Sequence, residues 1–176
     1  NGQVTKTTYG GVSSDYTETL YASGAYYPYR TRARDGSETN YYYDKATTNH
    51  TALLTKVTHP SYGSAGYRYE YDSYGHLSKM YDPGGDTTTY QYNARGEMTS
   101  VTNALSQTTT YTYDDFGNVS TVTDPLSHTT TYEYDDTCGC SSGSGRVTKV
   151  TNHLNQSTTM TYDLAGNLST VTDPLG

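Results

Sequence analysis

Two cysteines, five histidines, an arginine triplet and a recurring series of aspartates are the residues of this chain able to do chemistry. Cys138 and Cys140 share one short loop, and no second cysteine pair exists to complete the four ligands of a structural zinc site. Three readings stay open: two free thiols, a strained Cys-x-Cys disulfide or a bridge to another chain, and a metal site recruiting His128 or His153. The pair does not fix the redox compartment. His128 and His153 sit in loop slots whose occupants vary between stretches, Gln107 among them, so these slots accept unrelated side chains. His50, His59 and His76 lack a nucleophile or acid set apart from the surrounding pattern. Arg30, Arg32 and Arg34 alternate on one strand face, which suits either a small anion or a solvated face paired with Glu38. A row of aspartates along one edge could collect Ca²⁺, but each has a local backbone donor to satisfy first. No catalytic residue, metal or cofactor is therefore expected.

The aspartates belong to a phrase that must be positioned by repeated elements. Asp72 and Gly75, Asn93 and Gly96, Asp114 and Gly117, Asp135 and Gly145, and Asp163 and Gly166 mark five copies. Three steps of 21 residues run from Tyr71 to Tyr134, and steps of 28 flank them, from Tyr43 to Tyr71 and from Tyr134 to Tyr162. Self-similarity at a fixed short period is the signature of a stacked repeat, built for surface and scaffold. The organisation expected is a degenerate hairpin region over 1–40 and a repeat array over 41–176, with an insertion at 136–144. The chain begins and ends mid-phrase, at Asn1 and at Asp173-Pro174-Leu175-Gly176, and reads as a segment of a longer one.

Within one repeat, Thr108–Tyr113 alternates so that Tyr111 and Tyr113 share a face with Thr109. Tyr-Asp-x-x-Gly then reads as a hairpin connection, the glycine supplying the left-handed residue of a type I turn with a G1 bulge. The return strand, 118–123, carries Val119 and Val122 three apart, which strict alternation cannot place on one face. A local bulge and burial on both faces both answer this. Asp124-Pro125-Leu126-Ser127 closes the unit as a type I turn, and Asn103 and Asn152 begin the same slot without proline. Tyr90, Tyr92, Tyr111, Tyr113, Tyr132 and Tyr134 are expected on one side and largely buried, with Val101, Val122, Val150 and Val171. Near the start, 29–34 and 37–43 read as a hairpin across Asp35-Gly36. The fold class is all-β: stacked antiparallel hairpins in a 21-residue repeat, forming a ribbon, a spiral shell or a tubular or fibre assembly.

Composition agrees. The chain has 22 tyrosines, one Phe and no Trp, and a mean hydropathy of −0.83. Disordered chains are aromatic-poor, so the tyrosines argue for a folded, thin core. A net charge of −7 disfavours nucleic acid, whose binders carry a basic face. No apolar run is long enough to span a membrane as a helix. Asn49, Asn118, Asn155 and Asn167 head Asn-x-Ser/Thr acceptor triplets, and surface Thr and Ser suit O-linked sugar.

The phrase from Tyr162 to Gly176, and its copy from Tyr113 to Ser127, resembles the YD repeat of the RHS family. The likeness covers 41–176 well and the first 40 residues poorly. It implies a large secreted or cell-surface protein whose strands spiral into a hollow shell, enclosing a toxin in bacteria or making cell-surface contacts in animals. Some members self-cleave at an Asp-Pro-x-Gly-Leu core, but Asp173-Pro174-Leu175-Gly176 fills the ordinary turn slot, and no protease is expected. The leading expectation is a non-enzymatic scaffold building a fibre, wall or shell by end-to-end sheet continuation. Its partners would be copies of itself or adjoining repeats. A segment of a toxin-enclosing shell and a carbohydrate- or cell-surface-binding module are the alternatives.

Overall fold

A computed structural model describes residues 18–21, 28–33, 37–44, 52–63, 65–135 and 145–175. The described residues form fourteen β-strands, one short 3₁₀ turn at Pro60–Tyr62, and no α-helix. Two compact units are present, Asn1–Thr89 and Tyr90–Gly176, with the boundary inside one strand.

The first unit holds β1 (Glu18–Tyr21), β2 (Pro28–Arg32), β3 (Glu38–Tyr43), β4 (Leu54–Thr58), β5 (Tyr67–Tyr71), β6 (Leu77–Tyr81) and the start of β7 (Thr87–Tyr92). The second holds the end of β7 and β8 (Met98–Thr102), β9 (Thr108–Tyr113), β10 (Val119–Thr123), β11 (Thr129–Tyr134), β12 (Val147–Thr151), β13 (Ser157–Tyr162) and β14 (Leu168–Thr172). Within each unit strand order is chain order, and neighbours pair antiparallel. Short connections dictate this, because tight turns join only antiparallel neighbours. The strands β5, β7, β9 and β11 end at Tyr71, Tyr92, Tyr113 and Tyr134, preserving the 21-residue step.

The valine spacing is resolved by a bulge. Val119 lies opposite Tyr113 and Val122 opposite Tyr111, while the register shifts between Val119 and Thr121 so that Ser120 is extra. The same shift puts Leu77 and Met80 opposite Tyr71 and Tyr69, and Val147 and Val150 opposite Tyr134 and Tyr132. One extra residue in the return strand changes the face of everything after it. Both aliphatic residues therefore meet tyrosine on one side.

That face is half-buried, not largely buried as the sequence suggests. Tyr90, Tyr92, Tyr111, Tyr113, Tyr132 and Tyr134 are all of intermediate exposure, and Val171 on β14 is 56% exposed. A single sheet layer shields a side chain only with its in-sheet neighbours, so burial stops halfway. Among the described residues no side chain is fully buried.

The opposite face is hydroxylated in the second unit. Paired hydroxyls bridge strands at Thr102–Thr108 (2.8 Å), Thr123–Thr129 (2.9 Å) and Thr151–Ser157 (2.9 Å). Tyr134 pairs with Val147 across the 136–144 insertion, and the Asp135 N–H donates to the Arg146 carbonyl at 2.9 Å, so register resumes beyond it. Cys138 and Cys140 lie outside the described residues.

Candidate functional site

The polar side chains concentrate in two rows of turns, and the turns share one geometry. In the Tyr-Asp turn at Asp114, its N–H donates to the Asn118 carbonyl (2.9 Å), and the Gly117 N–H donates to the Asp114 carbonyl (3.2 Å). The Asp114 carboxylate accepts from the N–H groups of Phe116 (2.9 Å) and Asn118 (2.8 Å) through Oδ1. Its Oδ2 accepts from the Asn118 amide at 2.9 Å. Asp72 closes on His76 in the same way and Asp163 on Asn167. Asn93 reverses the polarity, its amide donating to Glu97 at 2.7 Å. Across the insertion, Asp135 takes a guanidinium, with Arg146 Nη2 at 2.7 Å and Nε at 2.8 Å. Gly75, Gly96, Gly117 and Gly166 all hold positive φ, between 79° and 90°.

The Asp-Pro turns repeat this design. Asp124 Oδ1 accepts from the N–H groups of Leu126 (2.8 Å) and His128 (2.9 Å). Asn103 and Asn152 do the same for their own turns. Here Ser106, Ser127 and Asn155 occupy the left-handed position, with φ of 60°, 68° and 61°. Sequence reasoning missed these three, because no glycine marks the slot.

Electrostatics follows the hydrogen bonds. For Asp72 and Asp114, desolvation pushes toward the neutral acid, but the donors at His76 and Asn118 outweigh it and hold both carboxyls below the usual aspartate range. The His128 N–H lowers Asp124, and the Asn167 amide lowers Asp163. Tyr113 and Tyr134 are raised, chiefly by desolvation and secondarily by Glu97 and Asp114 respectively. These groups are held as ionised turn acceptors and neutral phenols.

The phenols link repeats. Tyr113 donates to the Met98 carbonyl (2.7 Å), Tyr134 to Val119 (2.8 Å), Tyr162 to Val147 (2.8 Å) and Tyr71 to Leu54 (2.8 Å). Each tyrosine leans from its own hairpin over the return strand of the preceding one.

The remaining candidates separate. His128 and His153 stack with ring centroids 4.0 Å apart, from adjacent turns, and His128 Nδ1 lies 3.1 Å from Asp124 Oδ2. Among the described residues no group of three metal-ligating side chains forms. Arg30 and Arg32 both face Glu38, at 3.1 and 3.7 Å, and Arg34 lies outside the described residues. A row of leucines is exposed in one turn slot: Leu105 78%, Leu126 75%, Leu154 62% and Leu175 93%.

A single-layer antiparallel sheet whose hairpins are closed by Asx turns and tied together by phenols defines a repeat scaffold. The profile of the RHS Repeat family matches residues 71–108, 92–129, 113–137 and 142–176, and the chain belongs to that family. Curated proteins give no match. Among solved structures, a Tc holotoxin pore of Photorhabdus luminescens carrying a TccC3 mutation aligns at 13% identity and a TM-score of 0.50. The alignment covers 92% of this chain and 11% of that one. The crystal structure of TcdB2-TccC3 aligns at 12% identity and a TM-score of 0.49, over 91% of this chain and 12% of that one. This chain thus spans about a tenth of the length of the structures it is similar to.

Proposed function

We propose that this chain is a non-enzymatic wall segment of a larger secreted or cell-surface protein, extended from repeat to repeat as one antiparallel sheet. The observation that carries this reading is the tyrosine bond to the preceding hairpin, repeated at Tyr71, Tyr113, Tyr134 and Tyr162. It makes each unit the partner of the last, so the natural partners are adjoining repeats or copies of the chain. Residues 41–176 form the array proper, with 1–40 as its degenerate approach. Asp72, Gly75, Asn93, Gly96, Asp114, Gly117, Asp135, Gly145, Asp163 and Gly166 serve as its hairpin turns. The exposed leucine row supports lateral contact between turns, since apolar side chains at one edge gain by meeting others.

The fold likeness to a Tc holotoxin pore favours the shell form of such a wall, one that encloses a toxin, over an open fibre. Among the acceptor triplets of the described residues, Asn155 is the favoured one. Asn118 and Asn167 already bind turn carboxylates through their amides, whereas Asn155 is exposed in its turn. Mass spectrometry of the secreted protein tests this, and glycan on Asn118 with none on Asn155 would contradict it. For the wall itself, electron imaging of the native full-length material is decisive. Closed hollow particles support the shell and long filaments the fibre. Isolated compact monomers with a deep polar cleft would refute both.

A further inference from the structure

Two imidazoles meet at one edge of the second unit. The fifth residue of the Asp-Pro turn is Gln107, His128 or Gln156, and the second is Ala104, Pro125, His153 or Pro174. His128 and His153 thus come from different slots of adjacent turns, one just before β11 and the other just before β13, and both are exposed. Their rings stack with centroids 4.0 Å apart and planes inclined by 29°. His59 and His76 are instead taken up inside their own turns, by Ser61 and Asp72.

Hydrogen bonding fixes the proton on the first ring. In the glutamine-bearing turns an asparagine amide donates to the glutamine oxygen, Asn103 to Gln107 at 2.8 Å and Asn152 to Gln156 at 2.9 Å. Asp124 replaces that asparagine, and an ionised carboxylate has no proton to give. His128 Nδ1, 3.1 Å from Asp124 Oδ2, must therefore carry it. In the neutral ring Nε2 then keeps its lone pair. A carboxylate that holds one ring nitrogen in this way sets the tautomer and orientation of a metal-ligating histidine. Among the described residues His153 has no hydrogen-bond partner, so its ring can turn.

The separation suits one ion. Bonds of about 2.0–2.1 Å at right-angled to tetrahedral geometry put two nitrogen donors roughly 2.9–3.4 Å apart. Rings 4.0 Å apart and inclined to each other reach that spacing along their converging edge, and a small rotation of His153 brings a nitrogen to it.

We propose that His128 and His153 form a two-imidazole chelate for a divalent transition-metal ion, with Asp124 as the residue that positions His128. Imidazole favours nickel, copper and zinc over the oxygen-seeking magnesium and calcium. Among the described residues no third ligating side chain joins the pair, so solvent fills the remaining positions and the ion exchanges readily. The bound ion ties the turn between β10 and β11 to the turn between β12 and β13. It stabilises the fold because the unfolded chain does not hold the two rings together.

Cys138 and Cys140 can also ligate such metals, so the test uses the 176-residue chain carrying Cys138→Ser/Cys140→Ser beside the parent. Calorimetric titration with Ni²⁺ near neutral pH should show saturable binding in both. Paramagnetic Ni²⁺ should broaden the ring-proton resonances of His128 and His153 together, at lower metal concentration than those of His59 and His76. His128→Gln and His153→Ala, each the occupant of the same slot in a neighbouring turn, should weaken binding by about tenfold or more. Asp124→Asn keeps the cap, as Asn103 does, but its amide donates to Nδ1 and moves the ring proton to Nε2. It should weaken Ni²⁺ binding while the metal-free melting temperature holds. His76→Asn, the residue found at Asn118 and Asn167, should leave binding unchanged. The melting temperature of the cysteine-free chain should rise with Ni²⁺ and not with Mg²⁺, and the rise should vanish in either His128→Gln or His153→Ala. Absence of saturable Ni²⁺ binding in the cysteine-free chain, parental affinity in either of those histidine variants, or broadening of His59 or His76 ahead of the pair overturns the proposal. Parental affinity in Asp124→Asn overturns the positioning role. The broadening needs no histidine substitution, so it decides the matter even where a variant folds poorly.

Discussion

Tyr113 does two jobs with one side chain. It sits opposite Val119 in the register of its own hairpin, and its hydroxyl donates to the Met98 carbonyl of the preceding one. Tyr113→Phe removes only the second, and the expected loss is about 0.5–1.5 kcal/mol in chemical denaturation. Tyr113→Ala removes both. A fully buried aromatic loses about 3–5 kcal/mol, and half-burial reduces this to about 2 kcal/mol. A phenylalanine variant as stable as the parent would show that the inter-repeat bond contributes nothing. The turn carboxylates add a pH signature. Asp72, Asp114, Asp124 and Asp163 titrate lower in the fold than in the unfolded chain. Their stabilisation is therefore complete above the ordinary aspartate value of 3.8 and is lost as pH falls through the lowered values. Melting temperature should be flat near neutrality and fall on the acid side of that value. Asp114→Asn should keep the neutral-pH stability, as Asn103 does in its own turn, and make the acid decline shallower. A steeper decline in the variant would contradict this. The stacked His128–His153 pair was not legible at this scale, because the two residues occupy different slots of their turns and meet only across hairpins.

Two turn families with different sequences converge on one backbone. The Tyr-Asp turns announce themselves by glycine, and their chemistry was readable from spacing. The Asp-Pro turns place Ser106, Ser127 and Asn155 in the same left-handed conformation without a glycine to signal it. The capping Asp or Asn holds each turn, with a proline only before Ser127, and the fourth residue follows. An L-residue pays about 1–2 kcal/mol for this conformation, offset by about 0.5–1 kcal/mol of extra chain freedom in glycine. Ser127→Gly should thus stabilise by about 0.5 kcal/mol, while Gly117→Ala should destabilise by about 1–2 kcal/mol. In the second variant the new Cβ would also sit 3.2 Å from Glu97 Oε1. Equal effects at the two sites, read from thermal melts, would mean the turns are not equivalent. The bulge at Ser120 was legible only as one of two answers. Spacing shows that Val119 and Val122 conflict with alternation; only the register shows which strand yields.

At the scale of the chain, periodicity made the all-β repeat architecture and the hairpin order readable, because each 21-residue phrase contains its own strands and turns. Burial was not readable in the same way. Alternation tells which residues share a face, but not whether a second layer covers that face, and here the ladder stays half-open. The cross-strand register was equally hidden. Arg30 and Arg32 stood out along one strand, whereas the Tyr42–Lys56–Arg68–Tyr81 line runs across four strands and exists only in the register. The central claim is that one phrase makes one hairpin, tied to its predecessor through a phenol. Residue-resolved amide hydrogen exchange across 67–134 tests it most directly. Protection should recur with a 21-residue period over β5 to β11, with the Asp-bonded N–H groups of Phe116 and Asn118 protected alongside the strands. Protection confined to contiguous helical blocks, or absent from every second strand, would contradict it.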